Sequence, residues 1–221
     1  MLVSLAVVMM TIGTANAYVV NYAEHEINLQ LVYIGAVPAK RAGNENLDFI
    51  YAKTAEDDRG AMEQLAVDEG PEHAQYFPLR PQKLGEVRGF HFRLHLFAPP
   101  SGPKYAKARA MVIGRADGIV LVLDASPASE SANKRVVAEL AKALTRNGKK
   151  LADAKLFVQV LGSDRSDDLT EADVLAQVGL AGRPSFLAYP VEGIGVFDAL
   201  LATSKLVIEG IDMEKIAKSA R

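Results

Sequence analysis

Runs of apolar residues alternate along the chain with segments in which apolar and polar positions follow a helical period. Residues 27–34 and 118–124 are rich in branched apolar side chains and have the length of buried strands. Residues 44–53 and 131–147 carry apolar side chains three and four positions apart, which predicts helices. Strands that alternate with helices are typical of a parallel sheet covered on both faces. The pattern therefore predicts an α/β fold of three layers, with a mostly parallel central sheet and ligands outside the carboxyl ends of its strands.

The other segments extend the same alternation. Residues 90–97 alternate strictly between apolar and polar side chains, which predicts a strand with one exposed face. Shorter patterns predict helices over 105–114, 170–178 and 197–209, and strands over 155–161 and 185–189. Residues 55–85 are polar and contain three prolines, so we expect a long surface loop there. Loops of that length in a compact domain usually have a function.

Composition narrows the possible classes of protein. The chain has 221 residues, of which 49% are hydrophobic, and this is enough for a substantial core and excludes intrinsic disorder. Its formal net charge of −2 argues against a general nucleic-acid binder. Because there is no cysteine, disulfides, zinc thiolate sites, iron–sulfur clusters and thiol nucleophiles are excluded.

The first 17 residues are apolar and uncharged and end in an A-x-A pattern, Ala15-Asn16-Ala17, as a secretory leader does. The positive segment that normally opens a leader is missing, and the run is shorter than the ~20 apolar residues of a membrane span. Residues 1–17 are therefore interpreted as a leader, as the product of a start codon assigned too far upstream, or as a buried first strand. We expect residues 18–221 to form a single domain and no segment to insert stably into a membrane.

Several segments carry a more specific pattern, in one order from about residue 20 to residue 210. They are 21–22 (NY), 31–35 (LVYIG), 51–54 (YAKT), 77–79 (FPL), 84–90 (LGEVRGF), 116–120 (ADGIV) and 193–198 (GIGVFD). Together they resemble the bacterial gliding-motility family of Ras-like small GTPases, the MglA proteins. The resemblance implies a three-layer P-loop GTPase fold, a cytoplasmic location, and GTP with Mg²⁺ as ligands. It also implies a partner such as a roadblock-type regulator or a protein of the motility or polarity machinery.

The phosphate-binding motif of such a GTPase is G-x-x-x-x-G-K-[ST], between the first strand and the first helix. Counted from Gly35, the last three motif positions are Lys40, Arg41 and Ala42 in this chain. Lys40 places a side chain where a glycine lets the backbone amides close around the phosphates. Arg41 is a planar fork instead of a compact ammonium group, and Ala42 lacks the hydroxyl that holds Mg²⁺.

The other elements of the family's site differ in parallel. Gly70 and Pro71 stand where the resemblance implies the arginine and threonine of the switch loop. Gly102 replaces the glutamine that orients the attacking water. In the guanine-reading motif, which falls on residues 161–164, only Asp164 is retained. Loss of three charged contacts alone would weaken nucleotide binding by ~10³-fold or more.

These substitutions favour a pseudo-GTPase, a Ras-like domain that acts as a protein-interaction module in gliding motility or cell polarity and for which no cofactor is expected. The alternative is a divergent small GTPase that binds GTP or GDP with Mg²⁺ and hydrolyses GTP slowly. The candidate nucleotide contacts are Gly35, Lys40, Arg41 and Asp164, and no catalytic or metal-binding residue is assigned. The expected location is the cytoplasm, unless residues 1–17 are a true signal peptide and the protein is exported.

Two further groups of polar residues have alternative interpretations. His91, Arg93 and His95 share the polar face of the predicted strand over 90–97, either as a ligand-facing stripe or as the outer surface of a strand. Glu86 and Arg88 belong to a hairpin that, in the family, lies beside the surface contacted by regulators. They serve either in partner contact or in the structure of that hairpin.

Overall fold

Strands and helices alternate in the computed structural model, which describes residues 18–36, 43–67, 72–81, 84–162 and 168–219. The strands are β1 (Val19–Asn21), β2 (Glu26–Gly35), β3 (Glu63–Ala66), β4 (His73–Leu79), β5 (Glu86–Val87), β6 (Phe90–Ala98), β7 (Gly118–Asp124), β8 (Leu156–Leu161) and β9 (Ser185–Ala188). The helices are α1 (Glu45–Lys53), α2 (Ala106–Arg115), α3 (Glu130–Arg146), α4 (Glu171–Gln177), α5 (Val196–Ile208) and α6 (Met213–Ser219). The interpretations of residues 1–17 lie outside the described residues.

The strands form one sheet in the order β3-β4-β6-β2-β7-β8-β9. The five strands from β6 to β9 in that order are parallel, whereas β3 and β4 are antiparallel to their neighbours. The short strands β1 and β5 pair with β2 and β6 near the amino-terminal ends of those strands. The predicted mostly parallel sheet is confirmed, and the carboxyl ends of five strands meet at one edge.

Each face of the sheet is covered by helices, because the apolar residues of the central strands point alternately to the two faces. On β2, Leu31 packs in the cluster formed with α1, α5 and α6, and Val32 packs in the cluster formed with α2, α3 and α4. All residues of β8 and all but the last residue of β7 are buried, as their continuous apolar runs predict. The three-layer arrangement is therefore confirmed.

The prediction of a long surface loop over residues 55–85 is wrong, because this segment contains β3 and β4. Phe77 and Leu79 alternate into the core, and a proline within the same strand disguised this period. Pro78 lies beyond the residues that pair with β3, and its carbonyl accepts a hydrogen bond from the Gly60 N–H at 2.9 Å. The nitrogen of Pro78 faces the same side as its carbonyl. No strand pairs with Pro78 on that side, so the proline costs the sheet no hydrogen bond. Helix α6 is a further element that the sequence pattern did not predict.

A half-buried carboxylate joins the end of α2 to the sheet at the start of β7. The Asp117 side chain accepts a hydrogen bond from the Gln30 N–H at 2.7 Å, and the Asp117 N–H donates to the Gln30 carbonyl at 2.9 Å. Burial raises the pKa of Asp117 to about 7, although the Gln30 N–H and the Lys149 ammonium oppose the rise. Asp117 therefore binds its proton more tightly in the folded protein than in the unfolded chain.

Asp117→Asn tests this difference. The folded pKa of about 7 lies above the ordinary value of 3.8, so the wild-type free energy of unfolding decreases as pH rises through that range. Asparagine is neutral at every pH and keeps an oxygen for the Gln30 N–H. We expect the melting temperature of the variant relative to wild type to increase from pH 5 to pH 8. Asp212→Asn removes the same charge at an exposed position, and an equal trend in that control would contradict the explanation by burial.

Candidate functional site

The candidate site lies at the edge where the parallel strands end. β2 ends at Gly35, and the Ala36 N–H continues the pairing by donating to the Val122 carbonyl of β7 at 3.2 Å. Of the four candidate nucleotide contacts, Gly35 is described and stands at this edge. Lys40, Arg41 and Asp164 lie outside the described residues, as do Ala42, Gly70 and Pro71.

The described start of α1 is formed by Gly43, Asn44 and Glu45. Gly43 lies so close to the sheet that a Cβ there would be 2.7 Å from the Ala98 Cβ and 3.2 Å from the Tyr33 Cβ. A larger residue at this position requires the helix or the strands to move. The close approach of α1 to β2 and β6 therefore depends on a residue without a side chain.

The first turn of α1 carries acidic charge. Glu45 and Asp48 both lie in it, and Asp48 accepts a hydrogen bond from the Gln75 side chain of β4 at 2.9 Å. Acidic side chains stabilise the positive end of a helix dipole. They also repel the phosphate groups that a helix start otherwise attracts. Among Gly43, Asn44 and Glu45 there is neither a lysine for a phosphate nor a hydroxyl group for Mg²⁺.

The end of β8 is covered by an aromatic side chain. Leu161 is buried, and a Cβ on Gly162 would lie 2.6 Å from the Tyr189 hydroxyl oxygen and 2.7 Å from the carbon that bears it. Tyr189 therefore takes the space into which a side chain at position 162 would extend. In the resemblance, residues 161 and 162 are the first two positions of the guanine-reading motif, so neither presents a polar side chain there.

A pair of buried amides fixes α1 against β8. The Asn46 side-chain N–H donates to the Gln159 side-chain oxygen at 2.8 Å, and the Gln159 side-chain N–H donates back at 2.9 Å. The Gln159 N–H also lies 3.4 Å from the Gly195 carbonyl, which precedes α5. Both amides are fully buried. The pair therefore links three segments that border the candidate site.

A buried arginine holds the loop after β6. The Arg109 guanidinium of α2 donates to the Pro100 carbonyl at 2.8 Å and to the Gly102 carbonyl at 3.0 Å. It also pairs with Glu139 of α3 at 2.7 Å. A cavity of about 310 Å³ lies between this loop, Gly35 and α3. The loop in which the family carries its water-orienting glutamine is thus tied to both helices behind it.

The polar side chains of β6 bond to residues of the neighbouring strands. His95 lies 2.8 Å from the Tyr76 hydroxyl through Nδ1 and 2.8 Å from the Asn28 side-chain oxygen through Nε2. Burial, together with the nearby Arg93 guanidinium, lowers the pKa of His95. Arg93 itself donates to Glu26 at 2.9 Å. These bonds favour the interpretation of His95 and Arg93 as part of the outer surface of the sheet over that of a ligand-facing stripe.

Glu26 is the acceptor at the centre of this surface. Its other carboxylate oxygen accepts from Arg80 at 2.9 Å, so two guanidinium groups share one carboxylate. Burial alone would raise the pKa of Glu26, but the hydrogen bonds and charges of Arg93 and Arg80 hold it below its ordinary value. His91, by contrast, is exposed and lies 3.7 Å from Glu86.

The β5–β6 hairpin supports a structural interpretation of Glu86 and Arg88. Its two-residue turn places Arg88 at φ 53° and Gly89 at φ 84°, as a type I′ turn requires at both central positions. The Arg88 guanidinium lies 3.2 Å from the Glu214 carboxylate of α6. Glu86 and Arg88 thus have partners within the fold, and their contact with a regulator stays a prediction.

No group of three or more histidine, aspartate and glutamate side chains in the described part of the chain could hold a metal ion. None of the helices within the described ranges is long and apolar enough to cross a membrane.

Sequence reasoning missed Tyr189, Arg109 and the Asn46–Gln159 pair. Gln159 had a detectable signal, since it is the one polar side chain within the apolar run 156–161 and a polar residue in a central strand needs a buried partner. Nothing in the sequence indicated that Tyr189 lies across Gly162, because that contact joins two loops.

Comparison with known proteins extends the resemblance from separate segments to most of the chain. No protein-family model matches the sequence. Over 189 residues the chain is 31% identical to the mutual gliding-motility protein MglA of Myxococcus xanthus (strain DK1622). The alignment covers 86% of this chain and 95% of that relative. The comparison confirms the resemblance and the Ras-like α/β fold that it implied.

Gly162→Ala tests the contact with Tyr189. The added Cβ would overlap the tyrosine hydroxyl at 2.6 Å, so we expect the free energy of unfolding to fall by about 1–3 kcal/mol. In a Tyr189→Ala background the same substitution should cost less than about 0.5 kcal/mol, because the overlapping group is gone. Chemical denaturation of the four variants of this cycle measures both values. Equal costs in the two backgrounds would show that Tyr189 does not occupy this space.

Proposed function

This chain belongs to the MglA family of Ras-like gliding-motility proteins, and on that premise we propose that it is a pseudo-GTPase. In this proposal it acts as a protein-interaction module in gliding motility or cell polarity, and it neither binds GTP in the family's manner nor hydrolyses it. Its partner is a roadblock-type regulator or a protein of the motility or polarity machinery. The proposal places the chain in the cytoplasm, where such partners are found.

The start of α1 is the observation that carries the proposal. A P-loop GTPase places a lysine and a hydroxyl residue where its loop meets the first helix. Counted from Gly35, those positions are Lys40, Arg41 and Ala42, and the described helix start that follows them is Gly43, Asn44 and Glu45, with Gly43 close against Ala98. An acidic first turn adds repulsion to the missing contacts. The described start of α1 therefore supports the proposal that GTP and Mg²⁺ are not bound in the family's manner.

The covered end of β8 supports the same conclusion from the opposite side of the site. A guanine ring requires an open edge with polar side chains that match its donors and acceptors. Gly162 offers no side chain, Leu161 is buried, and Tyr189 fills the adjacent space. The proposed loss of binding therefore affects recognition of the base as well as of the phosphates.

The loop over 100–102 supports a partner surface with one conformation. A nucleotide switch needs a loop with two arrangements whose populations the ligand changes. Arg109 binds two carbonyls of this loop and is itself anchored by Glu139. We therefore expect a partner to meet the same surface whether or not nucleotide is present.

A divergent GTPase that hydrolyses GTP slowly is the second candidate function. Family membership favours it, since the alignment spans 95% of the gliding-motility relative. In that case Lys40, Arg41 and Asp164 would have to supply contacts in an arrangement different from the family motif. Direct nucleotide binding separates the two functions.

Thermal melting of the purified protein with GTP, GDP or ATP, each with and without Mg²⁺, tests the proposal. We expect millimolar nucleotide to stabilise the fold by less than ~1 kcal/mol, which corresponds to less than about 4 °C in melting temperature. No magnesium-dependent release of phosphate from GTP should be detected. A magnesium-dependent rise in melting temperature with GTP or GDP but not with ATP would overturn the pseudo-GTPase and favour the divergent enzyme.

A further inference from the structure

Charge is unevenly divided along this chain. Residues 103–150 hold ten lysines and arginines against four aspartates and glutamates, whereas the rest of the chain holds 15 against 23. A segment with a net charge of +6 therefore belongs to a chain whose formal net charge is −2. The segment contains α2, β7 and α3, and β7 is buried, so its charge is displayed by the two helices and the residues that flank them.

The cations of α2 and α3 lie on the sides that face away from the sheet. On α2, Lys107 and Arg115 stand opposite the buried Arg109 and Ile113. The two helices lie side by side, since Arg109 pairs with Glu139 and a Cβ on Gly114 would lie 2.5 Å from the Asn147 side chain. We define the basic face as the exposed cations of this layer: Lys104, Lys107, Arg115, Lys134, Arg135, Lys142, Arg146 and Lys150.

The four acidic residues of the segment do not neutralise this face. Asp117 and Asp124 lie at the two ends of β7, where each accepts a backbone hydrogen bond. Glu139 pairs with the buried Arg109. Glu130 pairs with Lys134. Within the described ranges, the other seven cations of the basic face form no ion pair with an acidic side chain.

We propose that the basic face binds an anionic phospholipid surface. Each lysine or arginine near such a surface strengthens binding roughly fivefold, and clusters of four to eight are typical of proteins that bind anionic lipids. Five of the eight cations are lysines, whose long flexible stems place a point charge without a fixed geometry. A fluid layer of phosphate groups suits such side chains.

The composition of the basic face argues against a protein as its main partner. Cores of protein interfaces are rich in aromatic residues and poor in lysine. The only large apolar side chain that is strongly exposed in the described part of α2 and α3 is Met111, at 59%. It lies between Lys107 and Arg115 on α2, where it can enter the polar layer of a membrane without supplying an interface core.

The charge distribution also determines how the molecule would lie. Residues outside 103–150 carry a net charge of −8 and are repelled by an anionic surface. The layer formed by α1, α5 and α6 is on the opposite face of the sheet and would point away from the lipid.

Sedimentation of the full chain with vesicles tests the proposal. We expect the protein to sediment with phosphatidylglycerol vesicles and to remain soluble with phosphatidylcholine vesicles at low salt. About 1 M NaCl, which shortens the Debye length to ~3 Å, should release it. Replacing Lys107, Arg115 and Lys142 by glutamate should lower the partition coefficient at least ~100-fold, since three contributions are removed.

The matched control replaces Lys205, Lys215 and Lys218 by glutamate. These exposed lysines belong to α5 and α6 on the opposite layer, and their replacement changes the net charge by the same amount. The control should retain binding within about threefold, because its altered charges face away from the lipid. Thermal melting checks that both triple variants are folded.

Four results would overturn the proposal. They are the absence of wild-type binding to phosphatidylglycerol, equal losses in the two triple variants, unchanged binding in the Lys107, Arg115 and Lys142 variant, and equal binding to both lipids. Equal binding to both lipids would assign the interaction to apolar residues, for example those of 1–17. Binding of polyglutamate by a protein that ignores both vesicles would assign the basic face to an acidic protein instead.

Discussion

The close contact between α1 and the sheet is the constraint on which the rest of the candidate site depends. Two primary amides, Asn46 and Gln159, are fully buried within it, and each would cost several kcal/mol if it lost its partner. Paired with each other, they are satisfied only when α1 and β8 keep one distance and one register. Gly43 lets the helix start reach Ala98 on the other side. The position of α1 is therefore fixed by this hydrogen-bonded pair together with the close packing at Gly43.

These protein–protein contacts can be compared with those that a bound nucleotide makes in a Ras-like GTPase. In an active GTPase, nucleotide and metal fill the space between the first helix and the loops after the strands, and their binding free energy stabilises those loops. Here protein groups connect the same segments: Gln159 reaches toward Gly195, Arg109 binds the carbonyls of Pro100 and Gly102, and Tyr189 covers Gly162. In the proposed pseudo-GTPase, these contacts take over part of the role that a bound ligand has in an active GTPase.

The elements that could be predicted from the sequence are those that follow a regular spacing of apolar residues. The apolar runs of β7 and β8 and the helical spacing of α3 depend on local pattern, and the structure has all three at the expected positions. Strand β4 was not predicted, because Pro78 interrupts its alternating pattern. A strand tolerates a proline where the missing N–H faces away from a paired strand, and this depends on the tertiary structure. The candidate site was harder to predict than the fold. Tyr189 contacts Gly162 only because the loops after β8 and β9 lie at the same edge of the sheet.

The two proposed surfaces adjoin each other, since Arg135 of the basic face also lines the cavity beside Gly35. The carboxyl edge is formed by loops and by the start of α1, whereas the basic face lies along the outer sides of α2 and α3. Arg109 connects them, since it binds the loop over 100–102 and pairs with Glu139 of α3. A ligand can change the affinity of a second site only through a state that both sites affect differently. In the two proposals, binding at the basic face concentrates the protein at a surface, while Arg109 holds the loop over 100–102 through the carbonyls of Pro100 and Gly102.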